Sequence, residues 1–175
     1  MDDYQPVLLD VWREACRHIG IAESTETMTA LLAQHLPIDA ILVRRIDLER
    51  SCLETMAAGT AGSSWGAEAR TECSTGHLDQ LVEWCHLGAV THTNGEAPDG
   101  KLAGLIPATV ETDVLAGPLQ LPGGRWGILI LIARSGARFE DRHARLARLL
   151  LEPFTAAMEN GHRLSEMAAL REAAE

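Results

Sequence analysis

Residues Trp126–Ala133, "WGILILIA", are apolar on both faces of an extended chain, the pattern of a central strand covered on each side. That run constrains the architecture more than any other stretch, because a strand of this kind needs neighbouring strands at its edges and helices above and below it. Val114–Leu121 precedes it across "PGGR", which predicts an antiparallel pair. Ile38–Asp47 ("IDAILVRRID") and Cys52–Ala58 ("CLETMAA"), joined by the polar "LERS", predict a second hairpin. The expected core is an antiparallel sheet with helices on both sides.

The covering helices are written in the periodicity. Tyr4, Val7, Leu8, Val11, Trp12, Ala15, Cys16 and Ile19 follow the helical template, with Gly20 at the place of a carboxyl-terminal cap. Ser24 then stands as the amino-terminal cap of a second helix, whose stripe is Met28, Leu31, Leu32, His35 and Leu36, closed by Pro37. Between Gly59 and Thr112 the regular patterns fade, and only His77–Leu87 ("HLDQLVEWCHL") reads as helical. A long irregular insertion of this sort is usually functional or mobile, so the site is sought there. Glu140–Glu175 forms one long helix or two abutting ones, with a stripe through Leu146, Leu149, Leu150, Phe154, Ala157, Met158, Leu164, Met167, Ala168 and Leu170. Pro153 and Gly161 interrupt it at ordinary interior costs of about 3 and about 1 kcal/mol, so something outside the local helix must compensate.

A length of 175 residues predicts one domain able to bury its own core. The acidic amino terminus "MDDYQPV" is unlike a secretory signal, and no apolar run reaches membrane-spanning length, which together predict a cytoplasmic protein without a membrane partner. A net charge of −10 with no basic patch opposes direct nucleic-acid binding by this domain. Cys16, Cys52, Cys73 and Cys85 form no C-x-x-C pair and read as reduced thiols that serve mainly as small apolar groups.

The order helix, helix, hairpin, irregular helical insertion, hairpin, long terminal helix resembles a GAF domain. Gly117–Ala173 resembles the close of the amino-terminal GAF domain of sigma-54-dependent transcriptional activators (formate hydrogenlyase activator-like), through Phe139, His143, the "LLEPF" of Leu150–Phe154 and Asn160. Glu140 departs from the Ser or Thr cap that often follows the Phe in that family. The resemblance implies an α+β GAF fold, a central antiparallel sheet flanked by helices with long amino- and carboxyl-terminal helices. Residues 1–37 would be amino-terminal helices, 38–139 the sheet and ligand-pocket insertion, and 140–175 a signalling helix continuing into an AAA+ ATPase followed by a DNA-binding domain.

On that resemblance the chain senses a small molecule, unidentified, between the sheet and the insertion. The candidate wall comprises Trp65, His77, Leu81, Trp84, Cys85, His92 and Thr112, with the indoles placed to stack on a planar ligand and a histidine to supply a polar contact. Core packing is an equal account of both tryptophans. Cys73, His77, Cys85, His86 and His92 fit no zinc signature, so no metal is expected, and Cys85-His86 matches a bilin attachment pair only by coincidence. A non-catalytic module that dimerises through its terminal helices is the expectation, and the cofactor is left undetermined. Two alternatives stay open: an enzyme like the free methionine sulfoxide reductases, which use several cysteines on this fold, and a ligand-free GAF dimerisation module.

Overall fold

The computed structural model describes residues 4–17, 20–61, 69–94 and 112–175. Helices α1 (Gln5–Ala15) and α2 (Ile21–Leu32) lead into the hairpin β1 (Ile38–Asp47) and β2 (Cys52–Thr60). Strand β3 (Arg70–Glu72), helix α3 (Thr75–Leu87) and strand β4 (Thr91–Asn94) follow. A second hairpin, β5 (Asp113–Gln120) and β6 (Trp126–Ala133), precedes helix α4 (Asp141–Ala174). The six strands form one sheet in the order β3-β2-β1-β6-β5-β4, every pair antiparallel. This is the α+β architecture anticipated from the sequence.

β6 lies at the centre, between β1 and β5, and Gly127–Ala133 is buried throughout. Its alternate residues supply two separate cores. Leu129, Leu131 and Ala133 pack with α1, α2 and α4, whereas Ile128, Ile130 and Ile132 pack with α3. β1 divides in the same way, Ile41 and Val43 on the first face, Ala40 and Leu42 on the second. A strand read by both cores has no position for a polar side chain, which accounts for the composition of "WGILILIA".

The helix boundaries differ from the expected ones at the first junction. α1 ends at Ala15 with Cys16 as its cap, and Gly20 caps the start of α2, so Gly20 does not terminate the first helix. Ser24, expected as a cap, lies inside α2 at 1% exposure. The reason is tertiary: α2 lays Ser24, Thr25, Met28 and Thr29 against β2, and small polar residues allow that close approach. Residues 18 and 19, placed by the periodicity in the first helix, are outside the described residues.

β3 and β4 were not read from the sequence. They are three and four residues long, at the two edges of the sheet, and so short a segment carries no usable period. α4 is one continuous helix of 34 residues that runs through Pro153 and Gly161, about 50 Å at 1.5 Å per residue. Glu140 serves as its cap after all: its backbone N–H donates to His143 Nδ1 at 2.9 Å, half of a capping box that Ser or Thr would otherwise begin. The cost of Pro153 is met by packing, since Pro153 and its neighbour Phe154 are both buried. Asn160 Nδ2 donates to the Ala15 carbonyl at 3.0 Å, tying α4 to the end of α1.

Candidate functional site

The face of the sheet covered by α3 is the one flanked by the insertion. Ser74 starts α3 by accepting the His77 N–H on its Oγ at 3.2 Å, and Gly88 ends it with φ at +67°, a left-handed conformation that suits glycine. Between these caps the helix turns Leu78, Leu81, Trp84 and Cys85 onto the sheet. Leu81 and Cys85 are completely buried, and Trp84 Nε1 donates to Thr91 Oγ1 of β4 at 2.8 Å. His77 is half-buried one turn before Leu81. Thr112, at the start of β5, has a buried hydroxyl oxygen without a hydrogen-bond partner among the described residues. Trp65 is outside the described residues.

His92 departs from the expected wall. It pairs with Leu115, a residue of the α4-side core, and so projects from the opposite face of the sheet to Thr91. There its Nε2 stands 3.0 Å from Oδ2 of Asp113, which is 5% exposed and also accepts the Phe139 N–H at 3.0 Å. The Phe139 ring meets both His92 and His143 edge-on. His92 therefore joins β4 to the start of α4. Likewise the Cys85–His86 pair is split, the thiol inward and the imidazole outward against Trp126 at 5.1 Å. Among the described residues no three His, Cys, Asp or Glu side chains converge as metal ligands.

The residue that sequence reasoning passed over is Arg44. In "LVRRID" strand alternation puts one arginine on each face, which was the available signal, but not which one is inside. Arg44 is 3% exposed, opposite Thr55, and its Nη2 donates to Thr71 Oγ1 at 2.8 Å and to the Leu53 carbonyl at 3.3 Å. Leu53 belongs to the α3-side core, as do Leu42 and Ile46 around Arg44. The face thus buries a guanidinium and threonine hydroxyls on the strands beside an apolar wall from α3.

Neither cysteine on this face is a thiolate at neutral pH. Burial pushes the Cys85 thiol from 9.0 up to about 12. Burial also raises Cys73, with the Arg44 guanidinium opposing and Cys52 adding to the rise. At pH 8 Cys85 should carry about a thousandfold less thiolate than an ordinary thiol, and iodoacetamide should label exposed Cys16 while leaving Cys85 unmodified until denaturant is added. Peptide mass mapping checks this; equal labelling of the two in native protein contradicts it. Because the unfolded thiol ionises first, Cys85 favours folding below pH 9, and that contribution is lost as pH climbs toward 12.

No protein-family model matches the sequence, and neither does any curated relative. Solved structures match it over almost its whole length. A free methionine-R-sulfoxide reductase from Neisseria meningitidis, in complex with its substrate, is similar at 14% identity and a TM-score of 0.65, covering 94% of this chain and 95% of that one. The phycocyanobilin-bound GAF domain of a cyanobacterial phytochrome is similar at 9% identity and 0.67, covering 93% and 97%. The GAF domain of an Acinetobacter phosphoenolpyruvate-protein phosphotransferase gives 12% and 0.65, covering 95% and 99%. At these identities the likeness shows the fold, and the fold is that of GAF domains. It also corrects the expectation of a non-catalytic module: the same fold, over the same length, belongs to reductases as well as to bilin-binding and phosphotransferase domains, so it does not assign this chain to the non-enzymes.

Proposed function

We propose that the chain is a small-molecule-sensing regulatory GAF domain, with the α3-covered face of the sheet as the receiving surface and α4 as the output. The observation that carries this reading is α4 itself. Its first half is held on the sheet by His143, Leu146, Leu150, Phe154, Ala157 and Met158, whereas from Ser165 onward every residue is exposed, including Met167 at 54% and Leu170 at 70%. One rigid element therefore touches the sheet at one end and presents an unpartnered apolar stripe at the other. On the opposite face of β4 from Thr91, His92 and Asp113 tie this edge strand to Phe139, two residues before α4, so β4 contacts both the α3 side and the start of the output helix.

The finer assignment rests on the closing motif, Phe139, His143, Leu150–Phe154 and Asn160. We take the chain as the 1–175 sensory unit of a cytoplasmic sigma-54-dependent regulator, with helices in 1–37, sheet and insertion in 38–139, and α4 leading to an AAA+ ATPase. Among the described residues no helix is long and apolar enough to cross a membrane. The ligand wall on this reading is His77, Leu81, Trp84, Cys85 and Thr112, with Trp65 from the insertion, and Arg44 supplies its cation. The exposed stripes of α1 and α4, Leu9, Trp12, Leu149, Met167 and Leu170, are the homodimer surface.

Native mass spectrometry tests both parts. At about 20 μM, a concentration at which weak interfaces are populated, the purified chain should be a dimer that takes up one small molecule per protomer from a cell extract, and Trp84→Ala should release that molecule. A chain that takes up nothing contradicts the sensing reading, and a monomer contradicts the dimer.

A further inference from the structure

A groove of about 930 Å³ opens on the other face of the sheet, away from α3. It lies between the start of α2, the β5–β6 connection and the α4 segment Met158–Glu166. That size is within the range of small-molecule sites. Its floor is apolar, formed by Ile21, Met56, Leu121 and Met158, and two unbranched thioether side chains let such a floor adapt to different shapes.

The rim carries cations on a chain whose net charge is −10. Arg45 is already paired with Glu54 at 2.6 Å. Arg125 and Arg163 are different, because among the described residues neither has a carboxylate within ion-pair distance. Arg125 is nonetheless fixed in place: its Nε donates to the Pro122 carbonyl at 3.2 Å and its Nη2 is 3.4 Å from His162 Nε2. The α4 wall also carries Glu159 and Glu166, the latter 3.1 Å from the same His162 Nε2, and neither carboxylate is within ion-pair distance of Arg125 or Arg163.

We propose that this groove is a second ligand site, for an amphipathic monocarboxylate whose apolar body lies over Ile21, Met56, Leu121 and Met158 while its carboxylate pairs with Arg125 and Arg163. Arg125 belongs to the β5–β6 connection and Arg163 to α4, so the bound carboxylate bridges the body of the domain to the helix at the point where it becomes exposed. Gly161, also on the wall, adds no side chain to obstruct entry. The site is independent of the α3-side face and stands or falls without it.

The probe is octanoate, with octan-1-ol as its uncharged counterpart, titrated into the ¹⁵N-labelled protein. Octanoate should give saturating amide shifts at Gly123, Gly161 and His162, and octan-1-ol should bind at least about tenfold more weakly. Arg125→Gln with Arg163→Gln, both on exposed side chains, should weaken octanoate by about tenfold or more and leave octan-1-ol unchanged. Absence of saturating shifts, equal affinity for acid and alcohol, or insensitivity to the double substitution would each overturn the proposal. Shifts falling instead on α3 and β4 would overturn it while favouring ligand binding on the α3-side face.

Discussion

Replacing Gly59 by alanine should destabilise the protein by about 3 kcal/mol, the upper part of the range for overpacking a close contact. Gly59 sits in β2 directly beneath α2. A Cβ there would overlap Thr29 Oγ1 and come within 2.8 Å of the Thr25 carbonyl oxygen and of Thr29 Cβ. The backbone oxygen cannot yield by rotating a side chain, so α2 must lift from the sheet. Thr29 is itself completely buried and donates to that same carbonyl at 2.6 Å, which leaves no slack. For a chain of this length the loss corresponds to a fall of roughly 10 °C in melting temperature. Thr29→Ala in the Gly59→Ala background should recover part of the loss, because it removes the hydroxyl overlap but leaves the Thr25 carbonyl in place. Denaturant unfolding of the four proteins measures the coupling. A Gly59→Ala protein as stable as the parent would show that α2 is not seated on β2 as described.

The other large effect concerns transmission, and it rests on the sensing proposal. In a full-length regulator, inserting two residues after Leu170 turns everything downstream by about 200°, whereas seven residues come within about 20° of restoring the original face. If α4 relays ligand-driven movement of the sheet as rotation or displacement, two residues should abolish or lock ligand-dependent transcription and seven should largely preserve it. The geometry favours a stiff relay. α4 shows no break at Pro153, and its Pro153–Gly161 segment is held rather than free: Asn160 bonds to the end of α1, and a Cβ on Gly161 would lie 3.5 Å from the Ile21 backbone nitrogen of α2. The segment between the two residues that interrupt the helical pattern is thus clamped by two other helices. Equal ligand response from the two insertions would reduce α4 to a tether.

How much of this was legible in the sequence depended on whether the signal was local. The α3 stripe, Leu78, Leu81 and Cys85, and the helical pattern of 140–175 follow from spacing, since a helix brings residues three and four apart onto one face whatever else the chain does. β1 and β6 were placed to the residue because their apolar runs are bounded by turn sequences. Glu140, where a Ser or Thr cap is usual, caps α4 through a partner the residue type does not advertise, because His143 acts through an imidazole in place of the usual carboxylate or amide.

What the sequence determined by itself was the set of elements and the rank of one strand: "WGILILIA" had to be central, since alternate side chains on both faces needed a core. What only the tertiary structure decided was the face each polar residue takes. His92 and Thr91 are neighbours in the chain, yet pairing with β5 sends one toward Phe139 and the other toward Trp84. Arg44 and Arg45 are likewise adjacent and chemically identical. The pairing of β1 with β6 and β2, which puts Leu42 and Ile46 on the α3-side face, settles which one lies on that face and which one borders the α4 groove. A strand has a side-chain period of two, so a shift of one residue exchanges its faces. The register that prevents such a shift comes from partner strands and helices distant in the chain, and for that reason the chemistry of both faces could be read only from the folded protein.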